Sequence, residues 1–359
     1  VGLSSDELKR TYLVLGATAG MRMLAINNRS ASDRIYAVLG AELSKLGLRM
    51  DSPRANIRTI TGMEEATNAW ITVNYVLNNF GEMSMRKGRA ITPPKPASQT
   101  VGSLDLGGAS TQIAFHPSIL GPDGQKSLSE AYISNLELFN ESYTVYAHSF
   151  LCYGKSMAEL RTRAIMLKTN NFPKSLEDPC LPEGVILKKT GREIFYAPCV
   201  RGKFAQESYG GDIEPPASMD LDSNLTFIGS GNYEKCKAFV GELFNRTMPC
   251  KFNRCSFNGI YQPTLPRNAK FYAFAGFTYV MMYLNQTQTD THPKGSYKDF
   301  IQKLTKLCNS NPKQIYYKDP DDTDNVNGYC FDGNYVNGIL NLYGFNETNW
   351  DNIDFVIDV

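Results

Sequence analysis

The segment Gly102–Phe115, GSLDLGGASTQIAF, sets one carboxylate, Asp105, inside an apolar run. Gly107 and Gly108 follow, then small or polar side chains, and the chain turns apolar again. A carboxylate at a strand end followed by two glycines can hold a divalent metal and admit a phosphate to the main chain, because glycine has no Cβ in the way. Ser110 and Gln112 carry groups able to orient a water. Taken alone, D-x-G-G reads equally as a hairpin whose glycines supply positive φ and whose aspartate faces solvent.

A second chemical stretch is ITGMEEATNAWITVNY, where Glu64 and Glu65 fall in a first helical turn. Acidic residues there are ordinary partners of the helix dipole. One carboxylate beside a metal-bound phosphate would instead serve as general base for water. Trp70 and Tyr75 read as core aromatics. LGATAGMR makes a small-residue turn with Thr18 as a donor and Arg22 close behind, and GSGN at 229–232 precedes a helix whose start could take an anion. The acidic stretch DPDDTDN lacks the EF-hand spacing and reads as a solvated turn. His116, His148 and His292 are isolated and receive no role.

The chain around these residues has 359 positions, a net charge of +1, 42% hydrophobic and 20% charged residues. That length favours two lobes. With no long basic run, neither nucleic acid nor an anionic membrane is expected as the main partner. Eight cysteines without a CxxC pair, and three histidines, disfavour zinc. Together with sequons at Asn28, Asn140, Asn224, Asn245, Asn285 and Asn346, they favour an oxidising extracellular or luminal setting. The longest nearly apolar run, Phe271–Leu284, is too short to cross a bilayer, no signal peptide is visible, and the chain reads like an excerpt of something longer.

These residues need elements to position them. TYLVLGATAGMRML reads as a strand, a turn and a helix start. Ile35, Val38, Leu39, Leu43 and Leu46 have a helical period, ANIRTIT reads as a strand, and EEATNAWITVNYVLNNF reads as a helix. The Asp105 segment is a strand–turn–strand, YTVYAHSFL a strand and KSMAELRTRAIML a helix. The stretch 170–216 reads as loop-rich. NLTFIGSGN is a strand before the helix YEKCKAFVGELFN, FYAFAGFTYVMMYL reads as one buried helix, and two further helices follow. Alternating strands and helices give an α/β class.

Taken in order, LGATAGMR, ITGMEEATNAWITVNY, LDLGGASTQIAF and FIGSGNYEKC closely resemble the ecto-nucleoside triphosphate diphosphohydrolases, the apyrase family. YTVYAHSFLCYGKSMAELR and CSFNGIYQPTLP resemble its cell-surface branch. The resemblance runs over nearly the whole chain. It implies the two-lobed actin/sugar-kinase-like (ribonuclease H-like) α/β fold, with residues 1–61 forming part of the first lobe and 62–359 the second lobe with disulfide-rich loops. The implied activity is hydrolysis of nucleoside tri- and diphosphates with Ca²⁺ or Mg²⁺ and no phosphoenzyme. By resemblance Glu65 is the catalytic base and Asp105 holds the metal through water. Gly107 and Gly108 form a phosphate loop, and Ser110 and Gln112 place the attacking water. Thr18 and Arg22 line the phosphate site, Asn74 is a polar helix position beside it, and Tyr279 lies toward the base pocket. The implied disulfides are Cys152–Cys199, Cys180–Cys236, Cys250–Cys255 and Cys308–Cys330. Such a protein is extracellular or at the cell surface and N-glycosylated. Membrane tethering through segments outside this chain and homo-oligomerisation are both compatible with it.

The chain also departs from the family pattern. The opening phosphate loop D-x-G-S-(S/T), the closing G-W-x-L-G-like motif and both membrane helices are not in it, so the first lobe is incomplete here. Ala66 and Ala69 stand where the family usually has a glycine after the glutamate pair and another before the tryptophan. An inactive apyrase-like binding or structural protein is therefore the alternative. An exopolyphosphatase of the same superfold fits the cysteines less well.

Overall fold

In the computed structural model, which describes residues 2–83, 90–118, 131–244, 248–252, 254–285, 295–315 and 323–357, the two glycine-bearing regions fall in separate compact units, Val1–Glu65 and Ala66–Val359. The first unit pairs β1 (Leu15–Ala17) in parallel with β2 (Ile57–Thr59), Leu15 opposite Ile57. Parallel strands need a crossover, and helices supply it. After α1 (Ser5–Arg10) and β1 come α2 (Ala19–Asn27), α3 (Arg29–Ser44) and α4 (Pro53–Asn56). The sequon residue Asn28 caps α3, its Oδ1 accepting from the Ala31 N–H at 3.0 Å. The helix forms where its period predicts, but it buries Ser32 and Gly40 and leaves Ile35 and Val38 exposed, as is Leu46 just beyond its end. The chain leaves this unit along α5 (Gly62–Val76).

The second unit opens with a short antiparallel pair, β3 (Glu82–Met83) and β4 (Ala90–Thr92). Its main sheet holds β5 (Gly102–Leu106), β6 (Ser110–Phe115), β7 (Ile133–Leu138), β8 (Glu141–Leu151), β12 (Phe271–Ala275) and β13 (Ile353–Phe355), in the order β13-β12-β5-β6-β8-β7. β5 is central, parallel to β12 and antiparallel to β6. All six residues of β6 are buried, which is why the segment shows no apolar–polar alternation. A smaller sheet joins β9 (Ser175–Asp178), β10 (Ile186–Thr190) and β11 (Asn224–Gly229) in the order β10-β11-β9.

Helices α6 (Lys155–Thr169), α7 (Gly191–Phe195), α8 (Lys203–Tyr209), α9 (Tyr233–Gly241), α10 (Gly276–Asn285), α11 (Tyr297–Cys308) and α12 (Thr323–Tyr343) complete the unit. Tyr335, Val336, Ile339, Leu340 and Tyr343 of α12 are fully buried, and Phe150, Phe244 and Phe257 stack with Tyr335 and Tyr343 around it.

Two expectations are corrected. Phe271–Leu284 is not one helix: Phe271–Ala275 forms β12 and the helix begins at Gly276. A run apolar on every side carries no period to separate the two states, and pairing with β5 decides for strand. The stretch 170–216 contains β9, β10, α7 and α8 rather than mainly loop. All four expected disulfides are formed, Cys152–Cys199, Cys180–Cys236, Cys250–Cys255 and Cys308–Cys330. The residues Asn245, His292 and 319–322, with the Asn285 side chain, lie outside the described residues. Among the described residues no helix is long and apolar enough to cross a membrane.

Candidate functional site

Within the second unit the β5–β6 hairpin sets Asp105 opposite Gln112 and Leu106 opposite Thr111. The Gly107 N–H closes the turn on the Ser110 carbonyl at 3.0 Å. The Thr111 hydroxyl donates to the Asp105 carbonyl at 2.8 Å. Gln112 is buried, and its Nε2 donates to the Ser110 hydroxyl at 2.7 Å and the Ser149 hydroxyl at 2.8 Å. Its Oε1 is buried with no hydrogen-bond partner among the described residues. A buried amide oxygen of this kind is an acceptor waiting for a proton from water or ligand.

The turn is held from behind by residues 152–157, at the start of α6. Lys155 N–H donates to the Gly107 carbonyl at 2.8 Å, Met157 N–H to that of Gly108 at 3.1 Å, and Cys152 N–H to that of Ala109 at 2.9 Å. Across a trans peptide the C=O and the next N–H point in opposite directions. Fixing the carbonyls of Gly107 and Gly108 on this segment therefore aims the N–H groups of Gly108 and Ala109 away from it. Gly107 thus closes the turn with its own amide, and Gly108 turns its N–H outward. A Cβ on Gly154 would lie 2.1 Å from the Ala109 nitrogen, so only glycine lets the helix start come this close.

Other expected positions take different parts. Asn74 on α5 is fully buried and hydrogen-bonded at every site. Its Nδ2 donates to the carbonyls of Trp70 and Val101, and its Oδ1 accepts from Asn79 and from the Val101 N–H, all at 2.8–2.9 Å. Nothing polar remains for a ligand, so Asn74 anchors the entry to β5. Trp70 is core, as expected, packed on Phe80 and Tyr143, whereas Tyr75 is exposed. Tyr279 on α10 is exposed, its ring open to a planar partner. The GSGN turn is a packed helix start: the N–H groups of Ser230, Gly231 and Asn232 donate to the carbonyls of Asp178, Leu181 and Pro179.

In the first unit Thr18 is the exposed N-cap of α2, and its side chain makes no capping hydrogen bond. One turn on, Arg22 donates through Nη2 to Glu65 Oε2 at 2.6 Å and through Nη1 to the Ile60 carbonyl at 3.4 Å. The Arg22–Glu65 pair is mostly buried. The adjacent Glu64 is a capping residue: Arg58 grips both its oxygens, and Thr61 N–H donates to it at 2.7 Å. The Arg58 guanidinium, helped by the Thr61 amide, holds the Glu64 carboxyl down to about 2.

Among the described residues no group of three or more His, Cys, Asp or Glu side chains could hold a metal unaided. A magnesium-like ion keeps most of its water and binds through one or two carboxylates plus substrate phosphates. Asp105 beside a glycine turn, with the Gln112 Oε1 unpartnered, fits that style of binding. Sequence reading missed Ser149, which faces Gln112 across β6 and β8. Its only signal is the alternation of YTVYAHSFL, and that does not name the partner strand.

Residues 4–359 match the model of the GDA1/CD39 (nucleoside phosphatase) family. The chain is 33% identical to ectonucleoside triphosphate diphosphohydrolase 8 of Gallus gallus over 98% of its length, and 33% identical to ectonucleoside triphosphate diphosphohydrolase 1 of Bos taurus over 99%. It spans 64% of the length of each. A crystal structure of nucleoside triphosphate hydrolases from Neospora caninum superposes with a TM-score of 0.59 at 16% identity, covering 90% of this chain and 65% of that one. That likeness bears out the expected α/β fold class. With a family match over almost every residue and relatives a third identical across the same span, the chain belongs to the GDA1/CD39 (nucleoside phosphatase) family.

Proposed function

We propose that the protein hydrolyses the terminal phosphates of nucleoside tri- and diphosphates in a reaction that requires Ca²⁺ or Mg²⁺. The observation that carries this reading is the β5–β6 hairpin. One carboxylate, two outward backbone N–H groups and an unpartnered buried amide oxygen stand within eight residues, Asp105 to Gln112. Asp105 would hold the ion through its water shell, and the bound ion would offset phosphate charge. The N–H groups of Gly108 and Ala109 bind phosphate oxygens. Gln112 Oε1 and the Ser110 hydroxyl orient the water for in-line attack. Glu65 accepts the water's proton, Arg22 orients Glu65, and Thr18 adds a hydroxyl donor to the phosphates. Tyr279 offers its exposed ring to the base.

The relatives' names point to the same substrates, and their ecto- prefix, with four disulfides, supports an extracellular or cell-surface location. Asn28, Asn140, Asn224 and Asn346 are exposed and open to glycosylation. One observation favours the alternative of a relative that binds without turnover: Glu65 Oε2 is already engaged by Arg22 at 2.6 Å. Phosphate release from ATP and ADP by the natural full-length protein, with Ca²⁺ or Mg²⁺ and then with EDTA, decides between them. Chelation should abolish release. Glu65→Gln should lower kcat by about 100-fold or more, and activity surviving that change removes Glu65 as the base.

A further inference from the structure

The segment that holds the phosphate turn is itself held by α12. Asp332 and Tyr335 lie three residues apart on that helix, hence on one face. Asp332 Oδ2 accepts from Lys155 Nζ at 3.0 Å, and the Tyr335 hydroxyl donates to the Tyr153 carbonyl at 2.7 Å. Tyr153 and Lys155 flank Gly154, and the backbone of Lys155 holds the Gly107 carbonyl. We propose that Asp332 and Tyr335 are positioning residues for the phosphate turn, acting through residues 152–157 to aim the Gly108 and Ala109 N–H groups. This rests on the hydrolase reading for its consequence in catalysis, but the clamp is a property of the fold.

The clamp sits at the end of a charge ladder along α6. Lys155, Glu159 and Arg163 are spaced by four residues, with Asp332 on the first and Asp178 on the last. Arg163 Nη1 pairs with Glu159 at 2.7 Å, and its Nε stands 3.4 Å from Asp178 without an aligned hydrogen bond. α11 packs Leu304 against Gly333 beside this point. Lys155 and Arg163 thus face Asp332, Glu159 and Asp178 in a row that is buried at Asp332, Arg163 and Asp178 and half-buried at Lys155 and Glu159, with Lys189 adding its field at Glu159. Burial raises Asp332 to about 7, against the pull of Lys155. A carboxyl raised in the fold keeps its proton below that point. The Lys155–Asp332 ion pair is complete only above about 7, and because the fold holds that proton, ionising Asp332 costs stability as pH rises through it.

The test compares the natural full-length protein with Asp332→Asn and Tyr335→Phe. Hydrogen exchange of the peptide covering Asp105–Gln112 is read without nucleotide, and kcat and KM are read for ATP. Native exchange in β11 serves as the check of folding. In both variants the turn peptide should exchange about tenfold faster. For both, kcat should fall about 10- to 100-fold with KM nearly unchanged. Unchanged exchange of the turn in folded variants overturns the clamp even if hydrolysis is intact. Faster exchange with no hydrolysis by any form, wild type included, upholds the clamp and overturns the hydrolase reading.

Discussion

Gln112 holds two hydroxyls through Nε2 and leaves Oε1 for a water. Its removal should therefore act on the chemical step. Gln112→Ala is expected to lower kcat about 100-fold with little change in KM, as loss of one preorganised polar group at a reacting centre does. The same change should cost about 1–2 kcal/mol of stability, because Ser110 and Ser149 lose a buried partner. A variant losing KM alone would place Gln112 on the bound substrate instead. Asp105, Ser110 and Gln112 were legible in the sequence because one hairpin brings neighbours in the chain together. Arg22 and Glu65, 43 residues apart, each drew notice, but nothing in the sequence joins them. Glu64 and Glu65 are indistinguishable as letters. They separate only in the fold, where Arg58 takes one and Arg22 the other. For Asn74 the helix was legible, but the direction of its amide was not.

At the scale of elements, the phosphate turn is a product of two pieces, the β5–β6 hairpin and the start of α6. Gly154 lies where they meet, with an ordinary extended backbone at φ −77° and ψ 153°. Its value is clearance alone, since an added Cβ would fall 2.1–2.4 Å from the backbone atoms of Gly108, Ala109 and Ser110. Gly154→Ala should therefore cost about 3 kcal/mol, at the upper end of overpacking, and loosen the turn. Chemical denaturation measures the loss, and a cost under about 0.5 kcal/mol would show that the contact is slack. The sequence could not reveal this contact, because CYGK carries no mark of what packs on its glycine. The same blindness explains β12: an all-apolar run takes its state from its neighbours, here β5 and β13. Where a period exists, as in α6 and α11, the elements stand close to where the sequence put them.

Across the whole molecule the cross-links lie in one unit, since every cysteine follows residue 150. The pairing matched the family resemblance, because sequence spacing alone leaves connectivity open. The first unit shows the opposite lesson. Its apolar period was read correctly as helix, but Val14, Ile26, Ile35, Val38 and Leu46 are 40–66% exposed. That much apolar surface in 65 residues exceeds the single exposed side chains a soluble surface normally scatters. The chain spans 64% of the length of its curated relatives. We propose that the stripe of Ile35 and Val38 on α3 is covered in the natural protein. Val38→Asp then buries a charge without a partner and should cost the full-length protein more than about 2 kcal/mol. On a face open to water the same change stays within about 0.5 kcal/mol. Denaturant midpoints of the full-length protein and its Val38→Asp form distinguish the two. A near-neutral result would leave the α3 stripe as open surface.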